Sequence, residues 1–145
     1  ASSQQAEAED HLELARLQMQ KGNVEGAIDS TLDALALVPW DGEVWHALGK
    51  LYIQVGAPEL AREALVRAQE LEPTSPAINA HLGRLLLSQR AYEEAVPHLE
   101  KAVKLDPSSS DSLRALAAAY REIGRSEDAI LLWRHAESLA PVAPS

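Results

Sequence analysis

The stretch Trp45–Pro73, WHALGKLYIQVGAPELAREALVRAQELEP, decides the fold. Trp45, Leu48, Leu51, Tyr52 and Val55 recur at three- and four-residue steps, which gives a helix one apolar face. Gly56 then suits a left-handed turn at the helix end, because glycine has no Cβ to clash there. Pro58 and Glu59 suit the first turn of a second helix: the proline ring presets φ, and the acid favours the positive end of the helix dipole. That helix carries Ala61, Leu65, Ala68 and Leu71 on one stripe and stops at Pro73, which cannot continue it. The unit is a helix hairpin.

The same unit recurs. Pro39, Pro73, Pro107 and Pro141 are spaced 34 residues apart. Ala27, Ala61, Ala95 and Ala129 keep that step, as do Ala34, Ala68, Ala102 and Ala136. So do Leu14, Leu48, Leu82 and Leu116, each followed by a small residue: Ala15, Gly49, Gly83 or Ala117. The small rows let paired helices approach closely, while the leucine rows fill the remaining space. First helices are expected near Ala8–Gln20, Gly42–Val55, Pro76–Gln89 and Ser110–Ile123. Second helices are expected near Val24–Leu37, Pro58–Glu72, Tyr92–Leu105 and Ser126–Ala140. One hairpin cannot cover its own apolar face, so four of them should stack into a curved α-solenoid. The expected layout is a polar tail over residues 1–7, one domain over 8–141 with repeats near 8–41, 42–75, 76–109 and 110–141, and a tail over 142–145. Pro97, inside a second helix, predicts a local distortion rather than a break.

Composition narrows the function. The formal net charge of −9 argues against a dedicated nucleic-acid binder, which needs excess cations to displace counterions. The absence of cysteine excludes disulfides, thiolate metal sites and a cysteine nucleophile. No apolar run approaches the roughly 18 residues of a membrane span. The polar opening Ala1-Ser2-Ser3-Gln4-Gln5 carries no signal-peptide pattern, and without an initiator Met it reads as a processed or excerpted product. The expectation is a soluble chain, compatible with the cytoplasm or with a periplasmic or secreted location after processing. No nucleophile elbow, phosphate-cradling glycine loop or dinucleotide fingerprint occurs, so no catalytic residues and no cofactor are assigned. The five histidines (His11, His46, His81, His98, His135) include no His-x3-His pair, and no metal site is assigned. Trp45, Tyr52, Tyr92, Tyr120 and Trp133 occupy repeat core positions and are read as packing groups. Trp40, just past a helix end, is either a contact residue or a cover for the hairpin junction, the second being favoured.

These residues resemble the tetratricopeptide repeat family, whose 34-residue unit runs W-x2-L-G-x2-Y, then G, A, an aromatic, A and P. Residues Trp45, Leu48, Gly49, Tyr52, Gly56, Ala61, Ala68 and Pro73 match it closely, with Leu65 at the aromatic position. The fourth unit offers Leu116, Ala117, Tyr120, Gly124, Ala129, Trp133, Ala136 and Pro141. The third keeps Leu82, Gly83, Ala95, Leu99, Ala102 and Pro107 but has Arg90 where the turn glycine belongs. The first is the most divergent, with His11, Gln18 and Thr31 at positions that are usually large and apolar. The resemblance implies a right-handed superhelix with a concave groove lined by first helices, in which a partner protein or peptide binds.

By resemblance, the groove rows include Arg16, Lys50 and Arg84, three cations at the repeat step. Met19, Ile53, Leu87 and Arg121 form another row, and His46, His81 and Arg114 add further groove positions. The bland alternative is a solvated face with weak pairs such as Glu13–Arg16. The functional reading is a cationic track for a segment with acidic character, since arginine grips carboxylates through paired hydrogen bonds. The family's clamp for chaperone tails is not reproduced, as Leu12 and Arg16 stand where its first pair would be. Leu131 and Leu132 make an outer surface apolar that is polar in the other units, so either more protein follows to cover it or a second copy does, giving a homo-oligomer through the C-terminal end. A non-enzymatic adaptor, a self-associating array and a domain of a larger secretion or enzyme system are the three readings.

Overall fold

The computed structural model describes residues 2–139, and the side chain of Ser2 lies outside that description, as do Ala140 and Pro141 of the expected repeat. The described residues form eight helices: α1 (Ser2–Gln20), α2 (Val24–Leu37), α3 (Gly42–Gln54), α4 (Pro58–Leu71), α5 (Pro76–Ser88), α6 (Tyr92–Leu105), α7 (Ser110–Glu122) and α8 (Ser126–Leu139). They pair as α1 with α2, α3 with α4, α5 with α6, and α7 with α8. Two compact units result, Ala1–Pro73 and Thr74–Ser145. In the first, α2 also packs on α3; in the second, α6 packs on α7, and α5 touches α7.

Local chemistry sets the helix starts. Asn23 accepts a hydrogen bond from the Gly26 amide at 2.9 Å, Asp41 from the Glu43 amide at 3.0 Å, and Ser75 from the Ile78 amide at 3.2 Å. Ser109 does the same for Ser112 at 3.3 Å. Each bond satisfies an amide that has no partner inside the helix. The expected boundaries agree with the structure to within a residue or so, except at the start. Residues 2–7 are not a tail but the opening turns of α1, because Ser3-Gln4-Gln5-Ala6-Glu7 contains no glycine or proline to stop a helix. α6 runs unbroken through Pro97, which is exposed and costs the helix one backbone hydrogen bond without ending it.

The turn within each hairpin explains the glycine row. Gly22, Gly56 and Gly124 have φ of 79°, 78° and 88°. Arg90 takes the same left-handed conformation, with φ 63°, and its neighbour closes the turn with an Ala91 amide bond to the Leu86 carbonyl of 2.9 Å. A side chain in this region costs about 1–2 kcal/mol. Arg90→Gly should therefore stabilise the protein by about 1 kcal/mol after the extra freedom of glycine in the unfolded chain is deducted. A urea unfolding curve shifted upward with unchanged slope is the expected reading.

The core of the first unit joins Ala8, Ala34, Leu35, Val38, Val44, Leu48 and Ala64, with a second cluster of Ala15, Ala27 and Leu51. The polar residues of the divergent first repeat are satisfied. Buried Thr31 donates to the Ala27 carbonyl at 2.7 Å, and Ser30 donates to Gln18 at 2.7 Å. In the second unit, Tyr120 donates from α7 to the Glu100 carboxylate on α6, while the Arg125 guanidinium lies 4.0 Å over its ring. Burial and the Glu100 carboxylate push the Tyr120 phenol up to about 12. This contact locks two neighbouring hairpins together.

Candidate functional site

The expected groove residues do not share one environment. In the first unit, Arg16 and Lys50 are exposed on α1 and α3. Arg16 grips Glu13, one helical turn earlier, with Nε donating to Oε2 at 3.0 Å and Nη2 reaching the other oxygen. Ile53 is exposed, but Met19 is half-buried and packs against Ala15, Ala27 and Leu51. His46 is buried, with its Nδ1 3.7 Å from the Glu43 carboxylate. Burial, reinforced by Lys50, pushes its imidazole below the usual range against the opposing pull of Glu43.

In the second unit, Arg84 is exposed on α5, whereas His81 and Leu87 are half-buried. Arg114 and Arg121 converge on α7. Together with Ala117, Ala118, Ser126, Ala129, Ile130, Trp133, Arg134 and Glu137 they line a cleft of about 510 Å³ between α7 and α8. The Arg114 guanidinium sits 5.4 Å from the Trp133 ring centroid, and its buried Nε has no hydrogen-bond partner among the described residues. Arg121 lies 3.6 Å from Glu122.

Trp133 corrects one expectation. It is not a core residue but stands 48% exposed along the cleft. The signal was present in the sequence: Thr31, Leu65 and Leu99 hold the same repeat position, and a larger indole appears only in the last unit. Ile130 and Arg134 also line the cleft, and neither is among the expected groove residues. Leu131 is exposed and Leu132 half-buried, and neither lines the cleft. Trp40 is exposed, with Trp45 instead donating its indole N–H to the Pro39 carbonyl at 2.9 Å. Trp45, not Trp40, ties down the junction between the first two hairpins.

The tetratricopeptide repeat family matches over residues 46–110 and 82–144, and the chain belongs to that family. The fold is also that of MamA proteins. A MamA structure from Desulfovibrio magneticus RS-1 superposes with a TM-score of 0.88 at 21% identity, covering 93% of this chain and 76% of that one. A MamA structure from AMB-1 gives 0.82 at 27% identity, covering 91% of this chain and 72% of that one. One from MSR-1 gives 0.79 at 27% identity, covering 91% and 76%. No curated protein matches the chain significantly. Repeats of this family generally mediate protein–protein interactions and are typically non-catalytic, and no described helix is long and apolar enough to cross a membrane.

Proposed function

We propose that the chain is a non-enzymatic adaptor that holds an acidic segment of a partner protein against its first helices. One observation carries this reading: Arg16, Lys50 and Arg84 hold one repeat position on successive first helices and are all exposed. α3, α5 and α7 carry Lys50, Arg84, Arg114 and Arg121 against only Glu43, Asp111 and Glu122. In each of α2, α4, α6 and α8 the acids outnumber the bases. α1 is acidic, with Glu7, Glu9, Asp10 and Glu13 against Arg16, but α3, α5 and α7 together carry more cations than acids, on the helices from which this family's partners are expected to be held. In the first unit Arg16 and Lys50 contact the partner, with exposed Ile53 supplying an apolar anchor. In the second, Arg84, Arg114 and Arg121 do so, with Leu87 beside them. The Glu13 carboxylate holds the Arg16 guanidinium in a fixed orientation, and a partner carboxylate has to share or displace it.

The test is a calorimetric titration with an amphipathic peptide of alternating Glu and Leu, against a control with Gln in place of Glu. Raising salt from about 50 to about 300 mM shortens the screening length enough that affinity for the acidic peptide should fall at least about tenfold. The Gln peptide should bind weakly at both salts. Equal affinity for the two peptides, or no salt dependence, contradicts the acidic-partner reading.

A further inference from the structure

Two surfaces of the chain are each other's missing halves. On α3, Leu48 and Leu51 are 2% and 8% exposed, because that stripe packs on α2. On α7 the equivalent Leu116 and Ala119 are 3% and 0% exposed, with α6 against them. On α1 the same two positions, Leu14 and Leu17, are 47% and 42% exposed. At the other end the relation is reversed. Val96 and Leu99 on α6 are 8% and 0% exposed, whereas Ile130 and Trp133 at the same positions of α8 are 51% and 48% exposed. Among the described residues, no helix covers the α1 stripe or the α7/α8 cleft.

Charge selects the occupant. Glu7 and Asp10 precede Leu14 and Leu17 on one face of α1, at steps of three and four residues. The cleft brings Arg114, Arg121 and Arg134 around an apolar floor, with Glu137 the only acid among the described residues of its lining. Arg114 Nε, buried and without a hydrogen-bond partner, can donate to an incoming carboxylate. The stripe of α1 supplies two carboxylates followed by two leucines, and the cleft supplies guanidinium groups followed by Ile130 and Trp133.

We infer that α1 of a second copy of this chain seats in the α7/α8 cleft, so that copies join head to tail. The junction repeats the contact that α3 makes with α2, and that α7 makes with α6, inside one chain. Its two sides are different surfaces, so a bound copy still presents an open cleft or an open α1. Such a heterologous contact propagates until it closes into a ring or continues as a filament. The cleft shares Arg114 and Arg121 with the adaptor reading but not Arg16, Lys50 and Arg84, so the oligomeric state tests this inference while variants of those three cations test that reading.

Sedimentation equilibrium from about 10 µM to about 1 mM tests it. The apparent mass of the parent should climb beyond that of one 15.7 kDa chain and pass about twice that value. A head-blocked variant, Leu14→Lys with Leu17→Lys, and a tail-blocked variant, Ile130→Lys with Trp133→Gln, should each remain monomeric while keeping the parent's circular dichroism. Mixed in equal amounts, they should form a dimer and nothing larger, since one open head and one open tail remain. A parent that is monomeric throughout the range overturns the inference, as it would if the chain's own continuation filled the cleft. A head-blocked variant that still dimerises also overturns it, because the contact would then be tail to tail.

Discussion

Leu99→Ala should destabilise the protein by about 3 kcal/mol, the usual cost of emptying a fully buried leucine site. Gly83→Ala should then change sign between the two backgrounds. In the parent, a Cβ at Gly83 would lie 2.6 Å from both Cγ and Cδ2 of Leu99, with the Leu99 amide nitrogen at 3.4 Å. Leu99 is 0% exposed and has no space to retreat into. The overlap costs about 1–3 kcal/mol, against a helix-propensity gain near 1 kcal/mol, so the single variant should lose about 1 kcal/mol. In the Leu99→Ala background the obstacle is gone and the propensity gain remains, so adding Gly83→Ala should recover about 1 kcal/mol. The coupling of about 2 kcal/mol is readable from four urea curves, because the residues are in direct contact. Strict additivity would mean that α5 and α6 do not approach as closely at this point as the glycine row requires.

That contact shows why so much of the fold could be read in advance. A residue pair such as Gly83 and Leu99 recurs as Gly49 and Leu65, where a Cβ would lie 2.7 Å from the leucine. Repetition turns a packing requirement into a visible sequence period. Turn glycines, capping residues and the paired helices follow from the same period. What escaped were the places where the period has no neighbour to act through. Leu14 keeps its row but not its burial, since the row records identity and not what lies opposite. The opening residues of α1 fall outside the repeat, and only their helix-forming composition announces them.

The candidate site was less legible, for a related reason. Groove rows were assigned by position alone, and position does not give side-chain burial. His46 sits in a groove row yet is buried beneath its neighbours, and Met19 is drawn towards Ala15 and Leu51. Arg114 and Arg121 belong to two different rows, yet both line one cleft between α7 and α8 with Trp133. The lone large aromatic at that row was the clue. Its repeat position predicts core, as Leu65 and Leu99 are at that position, but α8 has no following helix to bury it among the described residues.

Reversing the three first-helix cations should have the largest effect on function. Exposed ion pairs contribute about 0.2–1 kcal/mol each, and charge-assisted contacts held against a partner contribute more. Reversal removes the attraction and adds repulsion, so about 1 kcal/mol per position is a conservative figure. Three positions then correspond to an affinity loss of about 100-fold. Arg16, Lys50 and Arg84 are all exposed, so Arg16→Glu with Lys50→Glu and Arg84→Glu should leave helix content unchanged. The neutral series with Gln should fall between parent and reversal, which separates lost attraction from new repulsion.

The most direct check of the adaptor reading is therefore the titration of this triple-Glu variant and the parent, side by side, with the Glu-Leu peptide at about 50 mM salt. The account predicts binding by the parent and a dissociation constant about 100-fold weaker for the variant, at equal folded content. Equal affinity for the two proteins would show that these cations hold no partner, and the adaptor reading would fall with them.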